Sequence, residues 1–240
     1  FFVWNGGVPL VLLIFIFIFG MLNESLSMLI LKKNIIRANF HIIVLSLLGA
    51  LPLLLLLTYN NEFFFYILFY LVYFIILNIY FKLDIFSSFF VLLVILSGFS
   101  AILINIINST ILFYIFILVF ISDSSAYIFG NYLQGPKLFP NISPSKTWSG
   151  SISAILVTMI VSIIFIDTQY FLHSLLIGLV TSILAQNGDL LESYFKRNHG
   201  YKDSGKIIPG HGGLLDRMDG LLINLPFYCV LINFEIFKVL

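Results

Sequence analysis

Residues 85–105 read IFSSFFVLLVILSGFSAILIN, a run of 21 residues without a charged side chain. At about 1.5 Å of rise per residue, a helix of this length crosses a hydrocarbon core of about 30 Å. A strand of a membrane barrel would alternate apolar and polar residues over about 10 positions, whereas this run is apolar on every face. The stretch therefore predicts a transmembrane helix.

Similar runs dominate the chain. Of its 240 residues, 60% are hydrophobic and only 10% are charged, where a soluble domain carries about 25% charged residues. The first run, from Val8, follows no basic residue, so we interpret it as a span and not as a cleaved signal peptide. We predict an all-α, polytopic integral membrane protein with about eight spans, near residues 8–30, 40–58, 63–81, 85–105, 111–129, 150–167, 170–188 and 218–238.

The basic residues predict an orientation. Eleven of the 12 Lys and Arg residues follow the odd-numbered spans, and only Lys238 lies on the other side. Because cytoplasmic loops are enriched in Lys and Arg, the two long polar loops, 130–149 and 189–217, are expected to face the cytoplasm and to form one site. Both termini then lie outside. We expect residues 1–110 to serve packing or dimerisation and residues 111–240 to form the catalytic region.

Five acidic residues lie near the predicted span ends on this side: Asp123, Asp189, Glu192, Asp216 and Asp219. A carboxylate in the bilayer costs about 2.5 to 3.5 kcal/mol, so its presence suggests a function. Asp216 and Asp219 are three residues apart and share one face of a helix, and Asp189 can face them from the neighbouring span. Oxygen ligands without His or Cys favour Mg²⁺, which commonly lies between carboxylates and substrate phosphates. The alternative is that each acid simply pairs with a neighbouring base at the interface.

The last part of the second loop and the three residues after it, residues 202–220, read KDSGKIIPGHGGLLDRMDG. Glycines let backbone N–H groups approach anionic oxygens, and basic side chains supply charge, so we predict phosphate binding. A flexible, positively charged loop would explain the lysines but not the glycines beside the acidic pair. The candidate residues here are Lys202, Ser204, His211, Gly212, Gly213 and Arg217, with His211 as a candidate for proton transfer.

The first loop has a similar character. Ser143, Lys146 and Thr147 precede the sixth span, where hydroxyl groups, a lysine and the start of a helix favour a phosphate. The segment is not a P-loop, because the glycine that a P-loop has before its lysine is missing. We predict that both loops bind one phosphorylated substrate.

Four segments resemble the signature of the phosphatidate cytidylyltransferases, or CDP-diacylglycerol synthases: Ser193–Arg197, Lys202–Gly205, Ile208–Gly213 and Asp216–Asp219. Two further parts look like the same family, namely Asp123 and Ser124 through to Ser143–Trp148, and Gly188–Leu190 with Glu192. The chain departs from the family pattern at Ser149, where the family usually has Glu, and at Gly220, where it usually has Ser.

The resemblance implies that CTP and phosphatidate give CDP-diacylglycerol and pyrophosphate with Mg²⁺, the phosphatidate phosphate attacking the α-phosphorus. It implies that Asp189, Asp216 and Asp219 hold the metal, and that Lys146, Lys202 and Arg217 bind phosphates. Asp123 and Ser124 would bind the nucleotide or a second cation, and Lys196 and Arg197 belong to the nucleotide-binding set. It also implies a homodimer in the bacterial inner membrane, with the site facing the cytoplasm and without a nucleic-acid partner.

A CTP-dependent polyprenol or phytol kinase remains the alternative enzyme. A CDP-alcohol phosphatidyltransferase is excluded by spacing, because after Asp219–Gly220 the chain runs Leu221-Leu222-Ile223-Asn224, with Ile223 and Asn224 where the D-G-x-x-A-R pattern has Ala and Arg. A channel or transporter would place ionisable residues in the middle of its spans, whereas here they cluster at the span ends.

Overall fold

The computed structural model describes residues 7–31, 38–50, 52, 63–165, 170–205 and 212–233. Helices account for most of these residues, and two short strands interrupt them. In chain order the elements are α1 (Gly7–Leu31), α2 (Ala38–Ala50), α3 (Phe63–Phe81), α4 (Ile85–Ile107), α5 (Ser109–Leu133), β1 (Lys137–Phe139), β2 (Ser143–Thr147), α6 (Trp148–Phe165), α7 (Phe171–Asn198), α8 (Leu215–Met218) and α9 (Leu221–Asn233).

Five helices in the described part of the chain are long and apolar enough to cross a membrane. They are Pro9–Ile30, Ile85–Ile107, Ser109–Leu133, Trp148–Phe165 and Phe171–Asn198. Three more apolar helical stretches are shorter: Phe40–Ala50, Phe69–Ile79 and Leu221–Ile232. The predicted polytopic helical fold is confirmed, while the span count of eight stays a prediction.

The first predicted loop, 130–149, contains regular structure. Helix α5 continues to Leu133, and β1 then pairs antiparallel with β2, with Lys137 opposite Thr147. Pro140 and Asn141 occupy the turn, which is closed by the N–H of Ile142 donating to the carbonyl of Phe139 at 3.2 Å. A hairpin therefore joins α5 to α6 and places β2 beside the start of α6.

The second predicted loop, 189–217, begins later than expected, because α7 continues to Asn198. Glu192 and Lys196, one helical turn apart, form an ion pair of 2.6 Å that supports this polar end of the helix. The helix ends at Asn198, and Gly200 follows its cap with a φ of +82°, a conformation that glycine adopts without strain. Asp189 and Glu192 therefore lie within a helix and not in a loop.

Small and hydroxylated residues bring α5, α6 and α7 close together. The hydroxyl groups of Ser122 on α5 and Ser182 on α7 are 2.9 Å apart. A Cβ atom on Gly178 of α7 would lie 2.7 Å from the carbonyl oxygen of Thr158 on α6, so only glycine allows this approach. The Ser122–Ser182 contact lies next to Asp123 on α5 and about two turns before Asp189 on α7.

The N-terminal helix α1 packs on α2 and α4 and also reaches α8. A Cβ atom on Gly20 would lie 2.5 Å from Cδ2 of Leu214, which shows how closely α1 approaches the segment before α8. Helix α1, which belongs to the predicted N-terminal part, therefore contacts the region that carries the signature residues.

Candidate active site

Three carboxylates from two separate parts of the chain form an acidic group. One ligand oxygen each of Asp189, Glu192 and Asp219 lies within 4.8 Å of the others. Asp189 and Glu192 are three residues apart on α7 and therefore share a face. Gly188 allows the approach of the third residue, because a Cβ atom there would collide with the backbone carbonyl of Asp219. The end of α7 and the α8–α9 junction thus meet at this group.

The acidic group fits a divalent cation. Glu192 is fully buried, and its Oε1 atom has no hydrogen-bond donor among the described residues. Burial raises the pKa of Asp219 well above its ordinary range, and the nearby carboxylates of Asp189 and Asp123 raise it further. A hard cation such as Mg²⁺ binds oxygen ligands, and it would reduce the repulsion between these crowded carboxylates, of which Glu192 and Asp219 are buried and Asp189 is partly exposed.

Asp216 has different partners from those that the sequence predicted. It forms an ion pair with Lys196 and accepts hydrogen bonds from the N–H groups of Gly213 (2.8 Å) and Ser204 (3.0 Å). Burial raises the pKa of Asp216, but these hydrogen bonds outweigh it and hold the pKa at about 2. Of the predicted metal set, the structure therefore groups Asp189 and Asp219 with Glu192, while the carboxylate of Asp216 is directed to Lys196.

A cavity of about 240 Å³ adjoins the acidic group. Lys146 of β2 forms an ion pair with Asp189, so the hairpin places a positive charge next to the acids. The cavity lies between α5, β2, the start of α6, and α7. Its polar lining residues are Asp123, Asn131, Ser145, Lys146, Thr147, Ser151, Gln186 and Asp189.

Glycines allow two of the helices that line this cavity to approach each other closely. A Cβ atom on Gly150 would lie 2.6 Å from the carbonyl oxygen of Ala126 and 3.0 Å from the Cα atom of Gly130. The N–H of Gly150 donates to Oγ1 of Thr147 at 3.2 Å, so the threonine hydroxyl holds the first turn of α6. Helices α5 and α6 therefore meet backbone to backbone beside Lys146.

Sequence reasoning missed several residues of the site. Gln186 of α7 contacts Ser151 of α6 through the Ser151 hydroxyl and through a 3.3 Å hydrogen bond from its amide to the Ser151 carbonyl. Glu192 was noticed as an acid but not as a candidate ligand. The spacing of Gln186, Asp189 and Glu192, three residues apart each time, marks one face of a helix and is the signal that could have found them.

Other predicted residues lie around this centre. Ser143 and Thr147 are buried in β2, and Ser124 lies beside Asp123 on α5. Arg197 is exposed and donates to the carbonyl of Tyr201 at 2.9 Å. Lys202 and Arg217 are exposed, Gly212 adopts a φ of +83°, and His211 lies outside the described residues.

Comparison with known proteins identifies relatives. The model of the cytidylyltransferase family matches residues 1–235. The phosphatidate cytidylyltransferase of Staphylococcus haemolyticus (strain JCSC1435) is 45% identical over 123 residues, covering 50% of this chain and 47% of the relative. The enzyme of the same name from Staphylococcus aureus (strain N315) is 43% identical over 123 residues, with the same coverage.

The matched segment covers about half the length of these curated relatives and about half of this chain. The family match is broader, because it extends from the first residue to the end of α9. On that match, the chain belongs to the cytidylyltransferase family.

Proposed function

We propose that this protein transfers the cytidylyl group of CTP to phosphatidate and releases CDP-diacylglycerol and pyrophosphate. The observation that carries the proposal is the junction of a polar, lysine-bearing cavity with a largely buried acidic group near the ends of apolar helices. The names of the curated relatives agree with it. One substrate of this reaction is a water-soluble nucleotide and the other is a lipid, so the site must lie at a membrane boundary.

In the proposed reaction an oxygen of the phosphatidate phosphate attacks the α-phosphorus of CTP. The new P–O bond joins the lipid phosphate to the cytidylyl group, and the bond between the α- and β-phosphates breaks. The electron pair of that bond leaves with pyrophosphate, so no protein nucleophile is required. The protein must align the two phosphates and stabilise the negative charge.

The cavity is the proposed position of CTP. Lys146 lies beside Asp189 and supplies a positive charge for the triphosphate. The hydroxyl groups of Thr147 and Ser151 and the amide of Gln186 line the same space and can bind polar atoms of the nucleotide. The cavity volume of about 240 Å³ suits part of a nucleotide, with the remainder towards the open side.

The proposed metal is Mg²⁺, held by Asp189, Glu192 and Asp219. Bound there, it would neutralise phosphate charge during the transfer. Asp216 would act from the adjacent position through Lys196, which lies between Asp216 and Glu192. The same proposal assigns phosphate binding to Lys202, Ser204, Gly212, Gly213 and Arg217. It assigns nucleotide binding to Asp123, Ser124, Ser143 and Arg197. It also places the site at the inner membrane, facing the cytoplasm.

A product assay tests this function directly. The purified protein in mixed micelles receives Mg²⁺, phosphatidate and CTP labelled at the α-phosphate. We expect label in a CDP-lipid together with an equal amount of released pyrophosphate. Label that appears only in CDP, with a newly phosphorylated lipid from γ-labelled CTP, would assign the protein to the lipid kinases instead.

A further inference from the structure

Glu24 lies in the C-terminal third of α1, far from the signature residues in sequence, and only 3% of it is exposed. Its Oε1 accepts a hydrogen bond from the N–H of Leu214, and its Oε2 accepts from the N–H of Leu215 and the hydroxyl of Ser204, each at 2.8 Å. One carboxylate of the N-terminal helix thus binds three donors of the segment that precedes Asp216.

The same segment is held from its other side by Asp216. Ser204 contacts both acids, because its N–H donates to Asp216 while its hydroxyl donates to Glu24. Asp216 pairs with Lys196, and Lys196 pairs with Glu192 of the acidic group. A continuous set of polar contacts therefore connects α1 to the proposed metal ligands.

Close packing makes this arrangement specific for the carboxylate of Glu24. A Cβ atom on Gly205 would lie 2.6 Å from its Oε1, and a Cβ atom on Gly213 would lie 2.5 Å from the same oxygen. The N–H groups at the start of a helix find no partner within it, and for the one-turn helix α8 Glu24 accepts those of Leu214 and Leu215. The two glycines thus explain how a side chain from another helix reaches this backbone.

A buried carboxylate in an apolar helix is costly, and an apolar residue of similar size would pack α1 at lower cost. We propose that Glu24 is a positioning residue of the active site, which holds segments 202–205 and 212–215 so that Asp216 and Asp219 keep their places. Glu24 acts through Ser204 and the start of α8, without belonging to the acidic group. This role rests on the proposed cytidylyl transfer and makes α1 a part of the catalytic unit.

The test replaces Glu24 with Gln, which keeps the size but exchanges one acceptor oxygen for an NH₂ group. We expect kcat/KM for CTP to fall about 10- to 100-fold, as for other small displacements of catalytic groups. The Mg²⁺ concentration for half-maximal rate should rise, and amide hydrogen exchange at Leu214 and Leu215 should become faster. The matched control is Ser25→Ala, whose buried hydroxyl donates only within its own helix, to the carbonyl of Leu22 at 3.1 Å. Ser25→Ala should leave all three quantities unchanged.

The proposal would be overturned if Glu24→Gln had the same amide hydrogen exchange at Leu214 and Leu215 and the same kinetics as the wild type. A loss of thermal stability with an unchanged turnover and Mg²⁺ requirement per folded molecule would also overturn it, because Glu24 would then stabilise only the fold. Should Glu24→Gln not fold, Glu24→Asp, which withdraws the carboxylate by one methylene group, takes its place with the same readouts. If neither folds while Ser25→Ala does, the positioning role is rejected. If the wild type makes no CDP-lipid, the proposed function fails, and exchange at Leu214 and Leu215 still decides whether Glu24 holds the segment.

Discussion

Asp219 lies in an environment that is unfavourable for a carboxylate without a cation, since burial and the neighbouring carboxylates of Asp189, Asp123 and Glu192 raise its pKa. We expect Asp219→Asn to remove nearly all turnover, because a proposed metal ligand is lost while the shape is kept. The melting temperature without Mg²⁺ should stay equal or rise, because one repulsive carboxylate is removed. Turnover and thermal unfolding in detergent measure both. Asp84→Asn, at an acid outside the site, is the control, and near-normal turnover of Asp219→Asn would exclude Asp219 from the metal site.

Lys146 provides a second prediction for a single residue. Lys146→Ala should raise the KM for CTP about tenfold or more, because a charge-assisted contact to the triphosphate is lost. Steady-state kinetics with varied CTP give the measurement. Lys137→Ala removes an exposed lysine from β1 of the same hairpin and should leave the KM unchanged. If both changes raised the KM for CTP equally, Lys146 would contribute only its general positive charge and not a specific contact to the triphosphate.

At the scale of residues, sequence could predict those whose type alone suggests chemistry. Asp189 and Asp219 are predicted to converge because both lie near the ends of predicted spans on the same side of the membrane. The structure places them in one group. Glu192 lies three residues from Asp189, and that spacing could have added it to the group. Glu24 could not be assigned in this way. Its role depends on burial and on donors of Ser204, Leu214 and Leu215, which lie far away in the chain, and no local pattern contains that information.

Helix α4 illustrates a local contribution to stability. The side chain of Asp84 accepts hydrogen bonds from the N–H of Ser87 (3.1 Å) and from its hydroxyl (2.6 Å), which caps the start of the helix. Asp84→Ala should lower the free energy of unfolding by about 1 kcal/mol, and Asp84→Asn should preserve most of it. Thermal or denaturant unfolding in detergent at pH 7 provides the comparison.

The same cap predicts a pH dependence. Burial raises the pKa of Asp84, but the hydrogen bonds from Ser87 outweigh it, and the pKa lies below its ordinary value. Because the pKa of Asp84 is lowered in the folded protein, its ionised carboxylate stabilises the folded state at pH values above the ordinary pKa of about 4. This stabilisation is lost as the pH falls below that value and through the lowered pKa. The difference in melting temperature between wild type and Asp84→Ala should therefore shrink from pH 7 towards pH 3. A difference that is independent of pH would contradict the role of the ionised cap.

Helices and loops differed in how well they could be predicted. Long apolar runs fix the helices because the bilayer requires their length and composition. The hairpin of β1 and β2 has only eight strand residues, and its pairing depends on the turn at Pro140 and Asn141. The end of α7 was misplaced, since composition becomes polar at Asp189 while the helical hydrogen bonds continue to Asn198.

For the molecule as a whole, we expect Mg²⁺ to couple stability and activity. Removal of divalent cations with EDTA should abolish turnover, and added Mg²⁺ should restore it and raise the melting temperature, because an ion that binds only the folded state stabilises it. The increase should be smaller in Asp219→Asn. Turnover that persists in EDTA would contradict a divalent metal in the mechanism.

Helix α7 has 28 residues, a length of about 42 Å against a hydrocarbon core of about 30 Å. The helix is therefore longer than the core is thick, and its polar end carries Asp189 and Glu192 on one face. One inserted residue between Ser182 and Asp189 would swing both acids round by about 100°, away from Asp219. The number of residues between Ser182 and Asp189 is therefore fixed by the geometry of the acidic group.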